Sequence, residues 1–445
     1  MSRFLLSFGL LNLLLFLPSG LLHFYLGPFV YIRDALVLIH FVLSLAFLFA
    51  RSLLRPVINR YCLLFVWGLC FVPLFWSDNK SDVYGGLFVF KWVILWVDCA
   101  LLGYIIKLEF DGPVAIRWLL ILSLCYLTVE ATAGFYELWT GSYLVDVDSE
   151  AESVFEHKLV RSEQLEGVIR VRGLQRDVFD FSNLMGVGVL MSGIVVVYSS
   201  ALLSRVVCLV LGLCYAYMLV YGSGRSAVLG SAGALLVLVG LNHRRKRALW
   251  AKALIITAFS LGFLVLFLGI GQLANNVSKA LFPEFYILDS QSSYMRDDVW
   301  LGIWDKLNAN SDISLLGAPV AKLFDDRISP FLESVDNIFL WTVYHSGLVG
   351  LSLWIVFIWQ FLSETLAGSI KREFTLFSSF MVFLLLEGCV RESFFFPSSL
   401  CFFFTSGVLT AASLQSQKEE VIAEERPVRP FFTSLGGDCA RVLEE

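Results

Sequence analysis

Arg225 stands in Tyr221-Gly222-Ser223-Gly224-Arg225-Ser226, a short polar stretch between two apolar runs. The glycines allow a sharp turn, and the helix that follows starts with exposed amides and a dipole that favour an anion. A guanidinium placed there suits a phosphate, which it binds bidentately. The competing reading is an interfacial arginine that snorkels to lipid headgroups. Upstream, Arg161, Arg170, Arg172 and Arg176 lead into the apolar run that begins near Phe181. They read either as solvated loop charges or as a cationic mouth for a phosphorylated lipid.

A second polar stretch holds Arg296-Asp297-Asp298-Val299-Trp300-Leu301-Gly302-Ile303-Trp304, continuing to Leu307. Its apolar residues recur at helical spacing, which predicts an amphipathic helix lying along a membrane face. Trp300 and Trp304 suit stacking on sugar rings, and anchoring in an aromatic belt explains them equally well. The stretch ends at Glu333-Ser334-Val335-Asp336-Asn337, directly before another apolar run. Asp336 there can serve as a general base or orient a hydroxyl; Ser334, Asp336 and Asn337 are also all suited to capping the helix.

Further ionisable groups lie within apolar runs, where each costs about 2.5–3.5 kcal/mol on insertion scales and needs a partner or a task. Lys91 and Asp98 are seven residues apart and share one helix face, as do Glu130 and Glu137, while Glu387 and Arg391 are four apart and can pair directly. Structural pairing is the expected role of these groups, with Lys91, nearer the outer surface, singled out as a substrate contact. The five histidines, His23, His40, His157, His243 and His345, lack metal-like neighbours and read as structural. His345 would lie about 13 Å deeper than Asp336 along a helix, on nearly the opposite face. The nine cysteines show no CxxC spacing and none falls in a hydrophilic loop, so neither a metal site nor a disulfide framework is expected.

The elements that must position these groups follow from the chain's hydropathy. Of 445 residues, 58% are hydrophobic and 16% charged, with a mean hydropathy of +0.75, which places the chain in a bilayer. Period-2 alternation is lacking, so the spans are helical rather than a barrel. Twelve are expected, at 4–22, 27–50, 61–76, 85–106, 115–138, 181–200, 204–221, 226–241, 249–271, 337–362, 374–391 and 394–413. Arg3 before the first run resembles the start of a signal peptide, but no small-residue cleavage pattern follows, so it reads as an uncleaved helix.

Arg51, Arg55, Arg60, Arg205, Arg244, Arg245, Lys246, Arg247, Lys371 and Arg372 all fall in short loops on one side, which the positive-inside rule makes cytoplasmic. Both termini share that side. The resulting organisation is five helices in 1–138, a first outer loop at 139–180, four helices in 181–271, a larger outer loop at 272–336, three helices in 337–413 and a flexible cytoplasmic tail at 414–445. No repeat divides the chain into equal halves, which weighs against a two-bundle transporter. A net charge of -5 spread over short loops gives no reason to expect a nucleic-acid partner.

These residues, in this order, resemble the O-antigen ligase and polymerase family of bacterial inner membranes. Gly222 to Ser226 looks like the family's Ser-Arg turn; Arg296 with Trp300, then Leu316-Gly317, looks like its second-loop pattern. Asn337, nine residues, then Gly347-Leu348-Val349-Gly350 match the family's third motif, with Asp336 where its ligases carry a histidine. The likeness covers roughly residues 175 to 365.

The resemblance implies a GT-C-like membrane glycosyltransferase of O-antigen or exopolysaccharide synthesis, working at the periplasmic face without metal or cofactor. Its substrates would be undecaprenyl-pyrophosphate-linked glycans, and a chain-length regulator is an expected partner. Asp336, Arg225 and Arg296 would carry the chemistry, with Arg172, Arg176, Lys91, Asn337, Trp300 and Trp304 in the binding surface. A polymerase is the leading expectation. A ligase that transfers finished polymer to lipid A core is the alternative, and a lipid-linked oligosaccharide flippase or transporter is the rival of another class.

Overall fold

The structure, a computed structural model, describes residues 25–27, 30–69, 80–109, 112–144, 171–175, 178–222, 225–243, 338–365, 371–388 and 397–425, together with Ile303, Asp305, Leu315 and Gly317. The apolar runs among them form helices: α1 Ile32–Ala50, α2 Leu54–Leu69, α3 Lys80–Glu109, α4 Gly112–Thr140, α5 Val178–Tyr198, α6 Leu202–Tyr221, α7 Arg225–His243, α8 Ile338–Thr365, α9 Lys371–Gly388 and α10 Pro397–Glu425. A small antiparallel hairpin, β1 Tyr25–Gly27 with β2 Val30–Tyr31, precedes them. Among the described residues, five helices are long and apolar enough to cross a membrane: α3, α4, α5, α6 and α10. The chain is a helical membrane protein.

Ten of the expected spans coincide with these helices, with several shifts of boundary. The span expected from residue 27 starts only at Ile32, because the hairpin occupies the residues before it. The span expected at 61–76 is α2, which begins at Leu54, with the arginine pair Arg55 and Arg60 inside the helix. α10 runs on to Glu425, so twelve residues of the stretch 414–445, expected as a tail, are helical. The spans expected at 4–22 and 249–271 lie outside the described residues.

Small residues let the helices approach closely, the usual basis of helix association in lipid. α3 and α10 are the tightest case: a Cβ on Gly103 would lie 2.1 Å from the carbonyl oxygen of Phe404, and one on Gly407 would lie 1.9 Å from that of Ala100. Backbone therefore rests on backbone at two points, one contributed by each helix. Beside this pair lies a buried aromatic cluster, in which Trp96 stacks on Phe403 at 5.3 Å and meets Trp354 edge-on at 5.7 Å. Trp67 joins it from α2, edge-on to Trp354 at 5.5 Å.

Polar contacts group the helix ends into two sets. Lys107 Nζ, near the end of α3, donates to Glu373 Oε1 at 2.8 Å, and the neighbouring Arg372 guanidinium lies 5.1 Å from the centre of the Tyr198 ring. Arg60 lies 5.5 Å from the centre of the Phe361 ring near the end of α8. At the opposite ends of α5 and α9 the contacts involve Ser182, Asn183, Gly222, Glu387 and Ser398. The sorting matches helices that alternate in direction.

Candidate functional site

The opposite end of the bundle from Lys107 holds most of the placed candidates. α4 carries Glu130 and Glu137 two turns apart on one face, and both are fully buried. Segment 171–175, the last part of the first long loop before α5, lies across them. The amides of Arg172 and Gly173 each donate to Glu137 Oε2 at 2.9 Å, and that of Leu144 donates to Glu137 Oε1 at 3.2 Å. The Leu174 amide donates to Glu130 Oε2 at 3.0 Å, while Gln175 Nε2, at 2.5 Å, and the Tyr126 hydroxyl donate to Glu130 Oε1. Each carboxylate oxygen thus holds at least one donor, which suits anchoring rather than proton transfer.

Gly173 makes this possible. Its φ of 58° turns successive amides toward one side, an arrangement that collects anions, and here the anions are the chain's own carboxylates. A Cβ at this position would lie 2.8 Å from Glu130 Oε2 and 2.9 Å from the Phe181 ring. The expected pairing role of the two glutamates is therefore met by loop amides, joined at Glu130 by the side chains of Tyr126 and Gln175.

Arg172 is not a solvated loop charge. It is 4% exposed, and its guanidinium sits 4.0 Å from the centre of the Tyr143 ring, within cation–π range. The turn that bears Arg225 stands close to the same segment. α6 ends at Tyr221, Gly222 caps it, and α7 opens at Arg225, so the arginine occupies the first position of a helix as its sequence context predicts. Gly222 itself has an ordinary φ of -70°; it is small because a Cβ there would meet Ser182 Oγ at 2.5 Å and the Phe181 ring at 3.2 Å. The Ser182 hydroxyl donates to the Gly222 carbonyl at 2.8 Å.

Phe181 is the shared element. Its ring lies against Gly173, Gly222 and Gly134, where a Cβ would come within 2.9 Å, 3.2 Å and 2.9 Å of it, respectively. The end of the first long loop, the C-terminal half of α4 and the α6–α7 turn therefore converge on one buried side chain. Two of the segments expected to contribute arginines are brought together, although about fifty residues separate Arg172 from Arg225.

The remaining candidates are placed unevenly. Lys91 lies half-buried on α3. Arg176, Arg296, Trp300, Trp304, Asp336 and Asn337 fall outside the described residues. Within the expected amphipathic stretch, Ile303 and Asp305 are helical; Ile303 is 1% exposed and belongs to the main core, and Asp305 is exposed. Ile303 thus packs into the core, whereas the stretch as a whole was expected to lie along a membrane face. Gly317, in the Leu316-Gly317 pair, has a φ of 90°, which favours glycine.

α8 departs from the single span expected at 337–362. It breaks at Gly347, whose φ of 67° and ψ of -172° belong to a region that essentially only glycine occupies. Gly350 has no room for a side chain, since a Cβ would lie 1.9 Å from Ser346 Oγ and 3.3 Å from Trp67. The Gly-x-x-Gly of the third motif thus consists of a break and the close contact that backs it.

Two buried polar networks were not legible as such. His40 Nδ1 and Asp98 Oδ1 are 2.6 Å apart between α1 and α3, so Asp98 finds a partner across the bundle. Glu387, whose expected partner Arg391 lies outside the described residues, accepts from Asn183 Nδ2 at 2.6 Å and from the Ser398 hydroxyl at 3.1 Å, while Asn183 Oδ1 accepts from the Ser398 amide at 2.8 Å. That amide opens α10 and has no intrahelical acceptor, so Asn183 acts as its cap from another helix. A polar Asn and a Ser following Pro397 were the available signals, but nothing in their spacing links them. No protein-family model and no curated protein matches this chain.

Proposed function

We propose that the chain is a polysaccharide polymerase of the bacterial inner membrane, with twelve spans in a GT-C-like arrangement, both termini cytoplasmic and its site facing the periplasm. The observation that carries this reading is the meeting of segment 171–175 and the Gly222–Arg225 turn over Phe181. It brings a segment that leads to Arg176 beside a helix that opens with Arg225. A lipid pyrophosphate is the anion such a pair of segments suits.

In the proposed reaction a growing glycan leaves its undecaprenyl pyrophosphate carrier and joins a sugar hydroxyl of the next lipid-linked repeat unit. The bond from the anomeric carbon to the pyrophosphate oxygen breaks, the hydroxyl oxygen bonds that carbon, and the hydroxyl proton passes to Asp336. Arg225 and Arg296 take the charge that develops on the leaving pyrophosphate, a stabilisation that strengthens as water is excluded. Arg172, packed on Tyr143, braces the segment that carries Arg176. Asn337 and Lys91 are assigned to hydroxyl and phosphate contacts, and Trp300 and Trp304 to sugar stacking.

Reconstitution in liposomes with a synthetic undecaprenyl-pyrophosphoryl repeat unit tests this. A ladder of products is expected, and recovery of the supplied unit alone would overturn it. In cells, a deletion that leaves single repeat units on lipid A core fits a polymerase, whereas loss of all repeat units fits a ligase. A second reading, a flippase for lipid-linked oligosaccharides, is favoured by the break of α8 at Gly347, since transporters place broken helices at their binding sites. Transbilayer movement of the supplied unit without chain growth would select it.

A further inference from the structure

We infer that Glu137 and Phe181 are positioning residues, which fix segment 171–175 and the 222–225 turn to a common base at the end of α4 and so set the spacing of the arginines that receive the pyrophosphate. This rests on the polymerase reading above and adds to it two residues that no motif marks.

The geometry separates positioning from simple packing. A carboxylate inside an apolar helix is costly, and an apolar contact would hold the loop on α4 without that cost. What the carboxylate adds is direction. Glu137 takes the amides of two consecutive residues on one oxygen and that of Leu144 on the other, which fixes the rotation of segment 171–175 as well as its distance. It also ties together both described ends of the first long loop, the one that leaves α4 and the one that enters α5.

Phe181 carries this placement to the second segment. The same ring abuts Gly173, within the anchored segment, and Gly222, at the start of the turn. The next residue, Ser182, donates to the Gly222 carbonyl at 2.8 Å, so the turn is held by both a ring face and a hydrogen bond. A shift of segment 171–175 is therefore passed to the residue three positions before Arg225 through a single fully buried side chain.

The test uses the full chain in liposomes with the synthetic donor and acceptor units supplied separately. In Glu137→Gln one acceptor oxygen becomes an amide that repels the donors around it, and in Phe181→Leu the ring contact to Gly222 is lost. For both, the KM for the pyrophosphate-linked donor is expected to rise roughly tenfold or more, a size that misplacement by about 1 Å can produce. The acceptor KM should stay within about twofold, since neither residue touches the acceptor, whereas kcat should fall along with the donor affinity because both variants displace Arg225 from the leaving group.

Glu137→Asp, which keeps the charge on a shorter stem, should recover part of the donor affinity. Because both residues act through the arginines, Glu137→Gln combined with Arg225→Ala should be no worse than Arg225→Ala alone. If Glu137→Gln fails to accumulate in the membrane, Phe181→Leu and Glu137→Asp carry the same measurement. A ladder from the wild type with unchanged donor KM in the variants, or fully additive losses in the double variant, overturns the inference while leaving the polymerase reading in place. Absence of any ladder from the wild type removes both.

Discussion

The indole nitrogen of Trp67 donates to Ser346 Oγ at 3.1 Å, one residue before α8 breaks at Gly347. Ser346 Oγ in turn donates to the Thr342 carbonyl at 2.7 Å, so the end of the first half of α8 is tied both to itself and to α2. Broken backbone at such a place survives because protein surrounds it. Trp67, at 1% exposure, supplies that cover together with Trp354 and Trp341.

Gly347→Ala should therefore destabilise the protein by about 1–3 kcal/mol, the usual cost of holding a side chain in a glycine-only conformation. Thermal unfolding in detergent measures it. An unchanged midpoint would mean that α8 runs straight through this position at no cost.

Asn183→Leu should cost about 2–4 kcal/mol. It removes the acceptor for the Ser398 amide and a donor to the buried Glu387 carboxylate, and losing a partner of a buried charged group is expensive. Adding Glu387→Met should recover much of the loss, because it removes the charge that needed the donor. Unfolding midpoints of the two single variants and the double variant give the comparison.

Glu373 makes stability depend on acid. Burial pushes its carboxyl up, but the hydrogen bond from Lys107, its own backbone and the charges of Lys107 and Arg372 outweigh burial and hold it below its ordinary value of 4.5. A depressed carboxyl contributes stability that is complete above the ordinary value and disappears as pH falls through the depressed one. Wild type should lose stability below about pH 4.5 more steeply than Glu373→Gln. Parallel acid limbs in the two unfolding curves would count against the Lys107–Glu373 contact as a source of stability.

Arg225→Ala should lower kcat for chain growth by about 100- to 1000-fold, the effect of removing one donor to a developing anion. Asp336→Asn should leave the fold intact and stop chain growth. Polymer of normal length from Asp336→Asn cells would reduce the residue to a helix cap, and normal turnover by Arg225→Ala would end its assignment to the leaving group.

Most of the helices were legible because hydropathy reports burial in lipid directly: α3 to α9 begin and end within a few residues of the apolar runs, and α10 begins so but runs on past its apolar run. The hairpin at Tyr25–Tyr31 was not, since its residues are as apolar as those of the helix that follows. Helical spacing identified the shared face of Glu130 and Glu137, yet it could not name loop amides as their partners, because an amide has no letter in a sequence. The same limit hid His40 from Asp98 and Asn183 from Glu387. Spacing reveals neighbours on one helix, whereas these partners lie 58 and 204 residues away and meet only through packing. Gly347 was read as part of a motif, but the break it makes depends on a backbone angle that composition does not encode.

The two points where α3 and α10 rest backbone on backbone have a mechanical consequence. Gly103 faces the Phe404 carbonyl and Gly407 faces the Ala100 carbonyl, so sliding either helix by one residue would drive a side chain into the other's main chain. The pair behaves as a fixed keel. If the chain is a polymerase as proposed, any opening that admits its lipid-linked glycan from the bilayer must then come from other seams, and the exposed rings of Phe135 and Tyr217, stacked 5.7 Å apart across α4 and α6, mark one where side chains rather than carbonyls would have to part.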